Sequence, residues 1–179
     1  MSAVIHASVQ MELAPAANAV LRADMTAPVA VQALLGAGQP QDALKLLARL
    51  LPKRYAVAWL CQCAREQPLT QEDRAGASLA EQWVREPSES NRRAAFEFAH
   101  AGGYKSLGAW IAAAAGWSGG SLAPAAQETP VPPPEHLTAR ATVAAINLMA
   151  ALEPAEFDAR RTAFIERATP LLQSGGSEA

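Results

Sequence analysis

The sequence predicts an all-α protein, a single-domain helical bundle of about seven to nine short helices with a long proline-rich strap on its surface. The chain has 179 residues, which is the usual size of one domain. About a quarter of those residues are alanine, the strongest helix former. Apolar residues recur at helical spacing along most of the chain, and proline or glycine separates one such run from the next.

Composition and charge disfavour several classes of protein. The 15 basic and 17 acidic residues are interspersed, for a formal net charge of −2, so we expect no nucleic-acid partner. No uncharged apolar run is long enough to cross a membrane, and the N-terminus lacks the basic segment of a signal peptide. We therefore expect a cytoplasmic protein without a membrane span.

The two cysteines, Cys61 and Cys63, are predicted to be small buried apolar residues. Two positions apart on a helix, their side chains point in very different directions, so they can neither form a disulfide nor share a metal ion. The histidines at positions 6, 100 and 136 are scattered and lack the spacing of metal ligands. We therefore expect no metal ion and no cofactor.

Residues 1–24 form a predicted N-terminal extension. Within it, apolar and polar side chains alternate from residue 4 to residue 13, which is the period of a β-strand. The extension is therefore expected to be either one strand or disordered. As a strand it could add to the edge of a partner's sheet, with Ile5 and Val9 among the contacting residues.

The main domain is predicted over residues 25–172, and its first three helices lie between residues 26 and 66. Each begins at or just after a residue suited to a helix N-terminus, and Gly36 ends the first helix. The N-terminal residues in question are Thr26, Pro40 and Pro52. The third helix, residues 53–66, is apolar nearly all round, so we expect it inside the bundle.

Three further helices are predicted between residues 70 and 116. Their N-caps are hydroxyl residues whose oxygen can accept a hydrogen bond from an N–H group of the first turn. These caps are Thr70, Ser88 and Ser106. Gly102 and Gly103 end the second helix in a left-handed C-cap. The third helix, residues 107–115, is rich in alanine and is expected at the centre of the bundle.

The five residues that follow it, Gly116, Trp117, Ser118, Gly119 and Gly120, match the G-x-S-x-G pattern of a serine nucleophile. That pattern needs a strand before the serine and a helix after it, whereas here a helix precedes Ser118 and a proline-rich segment follows. We therefore interpret these residues as a structural helix stop. In it, Gly116 would take the left-handed C′ position and Trp117 would fold back on the apolar side of the helix.

The proline-rich segment, residues 118–137, is the strap. It has no helical period and contains five prolines. A segment this long without regular structure usually has a function or is disordered. Residues 130–134, PVPPP, favour a stiff polyproline II helix. The strap is either a connection that returns the chain to the next helix or a segment that docks on a partner.

Two more helices and a tail complete the chain. Thr138 is a candidate N-cap for a central helix over residues 139–152. Pro154 then begins the last helix. Residues 173–179 are predicted to form a disordered tail.

Lys53 and Arg54 stand at the start of a helix, where their charges oppose the helix dipole. Such cations need a compensating group, either a carboxylate of this chain or an acidic group of a partner. Arg93, by contrast, is expected in a solvated i, i+4 ladder with Glu89 and Glu97. The candidate partner-binding residues are Ile5, Val9, Lys53, Arg54, Pro130, Pro132, Pro133 and Pro134.

Four segments of the chain form a combination typical of one family: LPKRYAVAWLCQCAR (51–65), WVREPSESNRRAAFE (83–97), GYKSLGAWIAAAAGWSGGSLAP (103–124) and VPPPEHLTARATVAAI (131–146). Together they resemble an uncharacterised bacterial family of small all-helical proteins, often encoded in type VI secretion gene clusters. The resemblance covers residues 25–167. It implies a cytoplasmic accessory to a secretion machine, and it implies no reaction, cofactor or catalytic residue. In that family an acidic residue commonly stands at the position of Tyr55, so Lys53 and Arg54 need another partner here.

The leading functional prediction is a non-enzymatic accessory or adaptor protein that binds another protein, a secretion-system component in the context that the resemblance implies. Two alternatives stay open. One is a serine hydrolase that uses Ser118 and His136 with Glu128 or Glu135 as the carboxylate. The other is an immunity-like protein that binds a toxin, although the acidic residues are dispersed rather than concentrated on one face.

Overall fold

The computed structural model describes residues 1–175, with side chains through Leu172. Over these residues the chain is all-helical without a strand, which confirms the predicted fold class. None of the described helices is both long enough and apolar enough to cross a membrane. A short 3₁₀ helix, Pro154–Glu156, precedes the last α-helix. The α-helices in chain order are α1 (Ala3–Gln10), α2 (Pro15–Asn18), α3 (Ala27–Gly36), α4 (Pro40–Leu50), α5 (Lys53–Arg65), α6 (Gln71–Arg85), α7 (Glu89–Ala101), α8 (Leu107–Gly116), α9 (Leu137–Ala150) and α10 (Phe157–Gly175).

The described chain divides into two compact units. Unit 1 consists of residues 1–52 and the chain from residue 150 onward, and unit 2 consists of residues 53–149. In unit 1, helices α1, α3 and α10 pack against α4. Helix α4 buries one apolar face against them, because its leucines and alanines recur at helical spacing. The buried apolar residues of α4 are Ala43, Leu44, Leu46, Leu47 and Ala48.

The N-terminal extension is helical, so the prediction of a strand or a disordered segment there is wrong. Ser2 caps α1 by accepting a hydrogen bond from the Ile5 N–H group. The residues that α1 and its C-cap bury have the spacing of one helix face: Val4, Ala7, Ser8 and Met11. Ile5 is half-buried and Val9 is 66% exposed. The alternating pattern of residues 4–13 does not indicate a strand here, because small and apolar residues also occur on the outer face of this helix.

Hydrogen bonds join the N-terminal segment to α4. The Ala14 N–H group donates to the Asp42 carboxylate at 3.2 Å, and Arg49 Nε donates to Gln10 Oε1 at 2.6 Å. Asp42 is buried in unit 1. Loss of the Ala14 N–H group would therefore leave a buried carboxylate without this hydrogen bond. The first 14 residues are thus an integral part of unit 1 and not a detachable arm.

The predicted helix boundaries are confirmed where side-chain or backbone caps mark them. At four N-caps the hydroxyl oxygen accepts a hydrogen bond from the N–H group three residues later: Thr26, Thr70, Ser88 and Ser106. After α7, Gly103 has φ +59°. The N–H groups of Gly103 and Tyr104 donate to the carbonyls of His100 and Ala99, which is a Schellman stop.

The C-terminal helix extends into the predicted tail. Helix α10 runs to Gly175, so residues 173–175 are helical and the disordered tail predicted there is wrong for them. The rest of that predicted tail, residues 176–179, lies outside the described residues.

Helix α8 lies at the centre of unit 2. Helices α5, α6 and α7 pack on it, and nine of its ten residues are buried. Glycines permit a close approach of α6: a Cβ atom on Gly76 would overlap the carbonyl group of Gly108. A Cβ atom on Gly108 would lie 2.6 Å from Asp73 Cα. The backbones of α6 and α8 are therefore in direct contact.

We expect Gly76→Ala to lower the free energy of unfolding by about 1–3 kcal/mol, because the added methyl group must push α6 and α8 apart. Gly36→Ala is the matched control, since a Cβ atom there would meet nothing within 4 Å. It should change the free energy of unfolding by less than about 1 kcal/mol. Urea unfolding followed by circular dichroism measures both. Equal midpoints for Gly76→Ala and wild type would contradict the direct contact.

Candidate functional site

The four segments that carry the family resemblance meet at the C-terminal end of α8. One side of this meeting point is the start of α5, another is α7, and the third is the strap with the start of α9. All of these elements belong to unit 2. We call the meeting point the α8 exit site, and it consists of Lys53, Arg92, Arg93, residues 116–121, Glu135 and Thr138.

Arg92 is the buried cation of the α8 exit site, with only 3% of its surface exposed. Its Nη1 atom donates to the Gly116 carbonyl at 2.5 Å. Its Nε and Nη2 atoms donate to the two carboxylate oxygens of Glu89 at 2.7 and 2.6 Å. A helix leaves its last carbonyls unpaired and carries partial negative charge there. Arg92 therefore supplies the C-terminus of α8 with both a hydrogen-bond donor and a positive charge.

The exposed ladder of Glu89, Arg93 and Glu97 that the sequence predicts is only half right. Arg93 does pair with Glu97, with its Nε atom 3.0 Å from the Glu97 carboxylate. Glu89 pairs instead with Arg92. A signal for the burial of Arg92 was present, because it shares a helix face with three residues that are also buried: Ala95, Phe96 and Ala99.

Gly116 is a glycine for a different reason from the one predicted. It is the last residue of α8, and the left-handed C′ position predicted for it is wrong. A Cβ atom on Gly116 would lie 2.6 Å from Phe96 Cα, so glycine allows α8 to pack closely on α7. The left-handed residue of the motif is Gly120, with φ +64°. A Cβ atom there would lie 2.5 Å from Arg92 Nε.

Trp117 lies back against the outer side of α8. Its ring packs edge-on against Trp110, with centroids 5.9 Å apart, and lies 5.3 Å from the ring of Tyr104. The rings of Tyr104 and Trp110 are also in contact, with centroids 5.8 Å apart. All three residues are half-buried. This aromatic cluster holds the chain in one direction as it leaves α8.

The Ser118 hydroxyl is engaged by the main chain. Its Oγ atom donates to the Ala115 carbonyl at 2.6 Å. A hydroxyl has one proton, and here that proton closes the last turn of α8. The preceding element is a helix, so the strand–turn–helix context of a serine nucleophile does not occur at Ser118.

The partners proposed for Ser118 in the hydrolase alternative have other surroundings. Glu135 forms an ion pair with Lys53, and Glu128 is exposed on the strap. His136 precedes α9, and its carbonyl accepts a hydrogen bond from the Arg140 N–H group. Among the side chains that the structure describes, no group of three His, Cys, Asp or Glu residues could hold a metal ion.

Lys53 and Arg54 donate hydrogen bonds to main-chain carbonyl groups near the ends of α8 and α6. Lys53 Nζ donates to the Ser118 carbonyl at 3.1 Å and lies 3.3 Å from the Glu135 carboxylate. Arg54 Nε donates to the Val84 carbonyl, near the end of α6, at 2.7 Å. Both cations therefore have partners within this chain, which supplies the compensation that the helix dipole demands. Their contact with a partner protein stays a prediction.

Thr138 serves α8 and does not cap its own helix, so the N-cap predicted there is wrong. Helix α9 begins one residue earlier, at Leu137. The Thr138 hydroxyl donates to the Ala114 carbonyl at 2.8 Å, and the residue is buried. The last turn of α8 thus receives hydrogen bonds from a guanidinium group and two hydroxyl groups.

The strap folds back on itself. The Leu122 N–H group donates to the Val131 carbonyl at 2.7 Å, and the Val131 N–H group donates to Ser121 Oγ at 2.8 Å. Arg93 Nη1 donates to the Ser121 carbonyl at 3.1 Å. These bonds close residues 122–131, which we call the strap loop, into a compact surface loop whose ends lie side by side.

The tip of the strap loop, residues 124–130, is exposed. Val131 and Pro132 are exposed as well, and no residue from 124 to 132 belongs to a helix. Val131 is an apolar side chain with 45% of its surface exposed. Of the prolines predicted to contact a partner, Pro130, Pro132 and Pro134 are exposed and Pro133 is half-buried.

We expect Gly120→Ala to destabilise the protein by about 2–4 kcal/mol. The substitution forces a side chain into a left-handed conformation and displaces the Arg92 guanidinium from its partners. Gly119→Ala is the matched control in the same motif, because a Cβ atom there would meet nothing within 4 Å. Its free energy of unfolding should stay within about 1 kcal/mol of wild type. Similar urea midpoints for the two variants would show that Arg92 does not occupy this position.

The ion pair at the α8 exit site predicts an acid-sensitive contribution to stability. Hydrogen bonds from Arg92 hold the pKa of the Glu89 carboxyl below its usual range. The folded-state pKa is thus lower than the unfolded-state value of about 4.3, so the pair stabilises the fold above that pH. This stabilisation is lost as the pH falls through the folded-state pKa.

The corresponding measurement compares wild type with Glu89→Gln by urea unfolding between pH 7 and pH 3. The difference in unfolding free energy should be largest near neutral pH and should shrink below about pH 4. Other carboxylates cancel in this difference because both proteins contain them. A difference that is constant over the whole range would contradict the role of Glu89.

Comparison with known proteins assigns the chain to one family. No curated protein and no solved structure matches it. The sequence model of a family of unknown function, DUF6931, matches residues 30–172. That range includes every residue of the α8 exit site and the whole strap. The chain therefore belongs to the uncharacterised family DUF6931.

Proposed function

We propose that this protein is a non-catalytic accessory protein that binds another protein through the strap loop. The observation that carries the proposal is the contrast between the base and the tip of that loop. Bonds from α7 and from Ser121 hold the base, while the tip, residues 124–130, is exposed. Loops of this kind, placed by a rigid scaffold, commonly form binding sites.

The hydrogen bonds that fix the base of the strap loop favour binding of a partner. A free segment of ten residues would lose conformational entropy when a partner orders it, and that loss weakens binding. Here Arg93, Lys53 and the Leu122–Val131 hydrogen bond already restrict the strap before any partner arrives. Folding of the protein therefore already removes most of the conformational entropy of the loop. Less of the favourable contact energy at the tip is then lost when a partner binds.

The chemistry of the exposed residues favours a partner with an aromatic-lined groove. Proline has a fixed φ and no N–H group, so a proline-rich segment presents apolar rings at little entropic cost. Such segments dock on aromatic side chains in other protein families. In the strap the exposed prolines flank Val131, which adds a further apolar contact.

Two clefts beside the strap loop can receive side chains of the partner. The larger, about 300 Å³, lies between the loop and the start of α7, with Ser90 and Pro130 on its walls. The smaller, about 140 Å³, is lined by Phe96 and Leu122. Arg93 and Pro124 line both clefts. A partner that covers the loop tip would therefore also reach an arginine, a residue type enriched at interface hot spots.

We propose a cytoplasmic setting and a component of a type VI secretion system as the partner. This context rests on the resemblance of the four segments, all of which lie within the matched range of residues 30–172. The absence of a catalytic role for Ser118 is supported by its hydrogen bond to the Ala115 carbonyl, since the hydroxyl proton is not directed to a base.

We expect Val131→Ser to weaken partner binding about tenfold, because it removes an apolar side chain that the interface would bury. The matched control is Leu148→Ser on α9, an apolar residue outside the strap with similar exposure: 40%, against 45% for Val131. Tagged protein captures the partner from cells with an active secretion system, and mass spectrometry identifies it. The purified partner is then titrated against wild type and both variants by calorimetry.

Two outcomes would contradict the proposal. One is equal affinity of Val131→Ser and Leu148→Ser for the purified partner, with both variants folded by circular dichroism. The other is labelling of the wild-type protein by a fluorophosphonate probe that disappears in Ser118→Ala, since such labelling would favour a hydrolase.

A further inference from the structure

We propose a second binding site, separate from the strap, in the cleft between the end of α5 and the start of α6. Its ligand is a small molecule with one carboxylate on an unbranched apolar chain. The cleft belongs wholly to unit 2 and shares no residue with the α8 exit site. The proposal therefore stands independently of the protein-binding role of the strap loop.

The cleft has the size and surface of a small-molecule site. Its volume is about 440 Å³, within the range of about 300–1,000 Å³ that such sites usually have. Apolar atoms form most of its walls. The residues that provide them are Cys61, Ala64, Pro68, Leu69 and Ala77. A straight hydrocarbon chain suits these walls, because they offer contact area and few hydrogen-bonding groups.

Cys61 contributes apolar surface to this cleft. The residue is 3% exposed, and its Sγ atom lies 3.9 Å from the Ala77 carbonyl. Burial, followed by the charge of Glu81, raises the pKa of the Cys61 thiol to about 12. The thiol is therefore neutral near pH 7, and a neutral buried cysteine behaves as a small hydrophobic residue.

The two charged residues that line the cleft, Arg65 and Arg74, are both cations. Arg65 Nη2 lies 2.7 Å from Glu81 Oε1, and Arg85 Nη2 lies 2.9 Å from the same oxygen. One carboxylate thus serves two guanidinium groups. Arg74 also lines the cleft, is exposed, and has no carboxylate within ion-pair distance among the side chains described. The unpaired Arg74 guanidinium is the group that selects a carboxylate on the ligand.

The donors at the cleft favour a free carboxylate over an extended peptide. Arg65 and Arg74 carry positive charge and only donate hydrogen bonds, and the neutral side chains of Gln67 and Ser78 lie beside them. A carboxylate accepts such bonds and carries the opposite charge, whereas a peptide main chain is neutral. A monocarboxylate therefore matches the cleft in charge and in hydrogen-bonding type.

The test uses the full-length protein with hexanoate, octanoate and decanoate, and with 1-octanol as the neutral probe. Calorimetry measures affinity, and ¹H–¹⁵N NMR maps the residues that respond. We expect affinity to rise about fourfold per added methylene until the chain fills the cleft. Octanol should bind about tenfold more weakly than octanoate, because it cannot form the ion pair with Arg74.

Three variants locate the site. Arg74→Gln should weaken octanoate binding about tenfold, and Ala77→Leu should weaken it at least as much by filling the cleft. Lys105→Gln removes the same charge from an exposed residue outside the cleft lining and should bind like wild type. Thermal melts confirm that each variant is folded.

The proposal is overturned if octanoate and octanol bind equally, if Arg74→Gln matches Lys105→Gln, or if no saturable binding occurs. Chemical-shift changes confined to residues outside 61–78 would also overturn it. None of these results bears on the strap loop, whose test uses a protein partner and different variants.

Discussion

Helix α8 is buried at both ends as well as along its length, and the arrangement of unit 2 follows from that burial. Peptide groups at the ends of a buried helix cannot turn to water, so side chains must satisfy them. At the start of α8, the Ser106 hydroxyl and the Asp73 carboxylate accept hydrogen bonds from first-turn N–H groups at 3.1 and 2.8 Å. At its end, Arg92 donates to the Gly116 carbonyl. An acid at the N-terminus and a base at the C-terminus also match the helix dipole.

The peptide groups at the ends of α8 require polar side chains on the neighbouring helices. Helix α6 supplies Asp73, α7 supplies Arg92 and α9 supplies Thr138, so each of the three contributes one polar side chain to an end of α8. Between those ends the contact is made by small residues, and glycine lets the backbones of α6 and α8 meet. This close approach explains how a chain with only 6% aromatic residues can still bury its central helix.

Features set by residues close together in the chain could be predicted from the sequence. Features set by residues far apart in the chain could not. Four of the five predicted N-caps, at Thr26, Thr70, Ser88 and Ser106, are correct because each cap bond joins residues three apart. The fifth, at Thr138, is wrong because that hydroxyl donates to the Ala114 carbonyl, 24 residues away. The role of Gly116 was not predictable, since a left-handed turn and a close contact both demand glycine and only the fold places Phe96 beside it. The acceptor of Arg92 was not predictable either, because the Gly116 carbonyl lies 24 residues further along the chain. The strap was predicted to lie at the surface, but its closure depends on the main-chain bond between Leu122 and Val131, which no side chain marks.

The residues that hold the strap in place are separate from the residues that it exposes. The side chains that anchor the strap are Lys53, Arg93 and Ser121, and none of them belongs to the tip, residues 124–130. Substitutions at the tip can therefore alter what the loop recognises without breaking a bond of the α8 exit site. The bonds that stabilise unit 2 are thus separate from the side chains that the strap loop exposes, as is common for loops placed by a rigid scaffold.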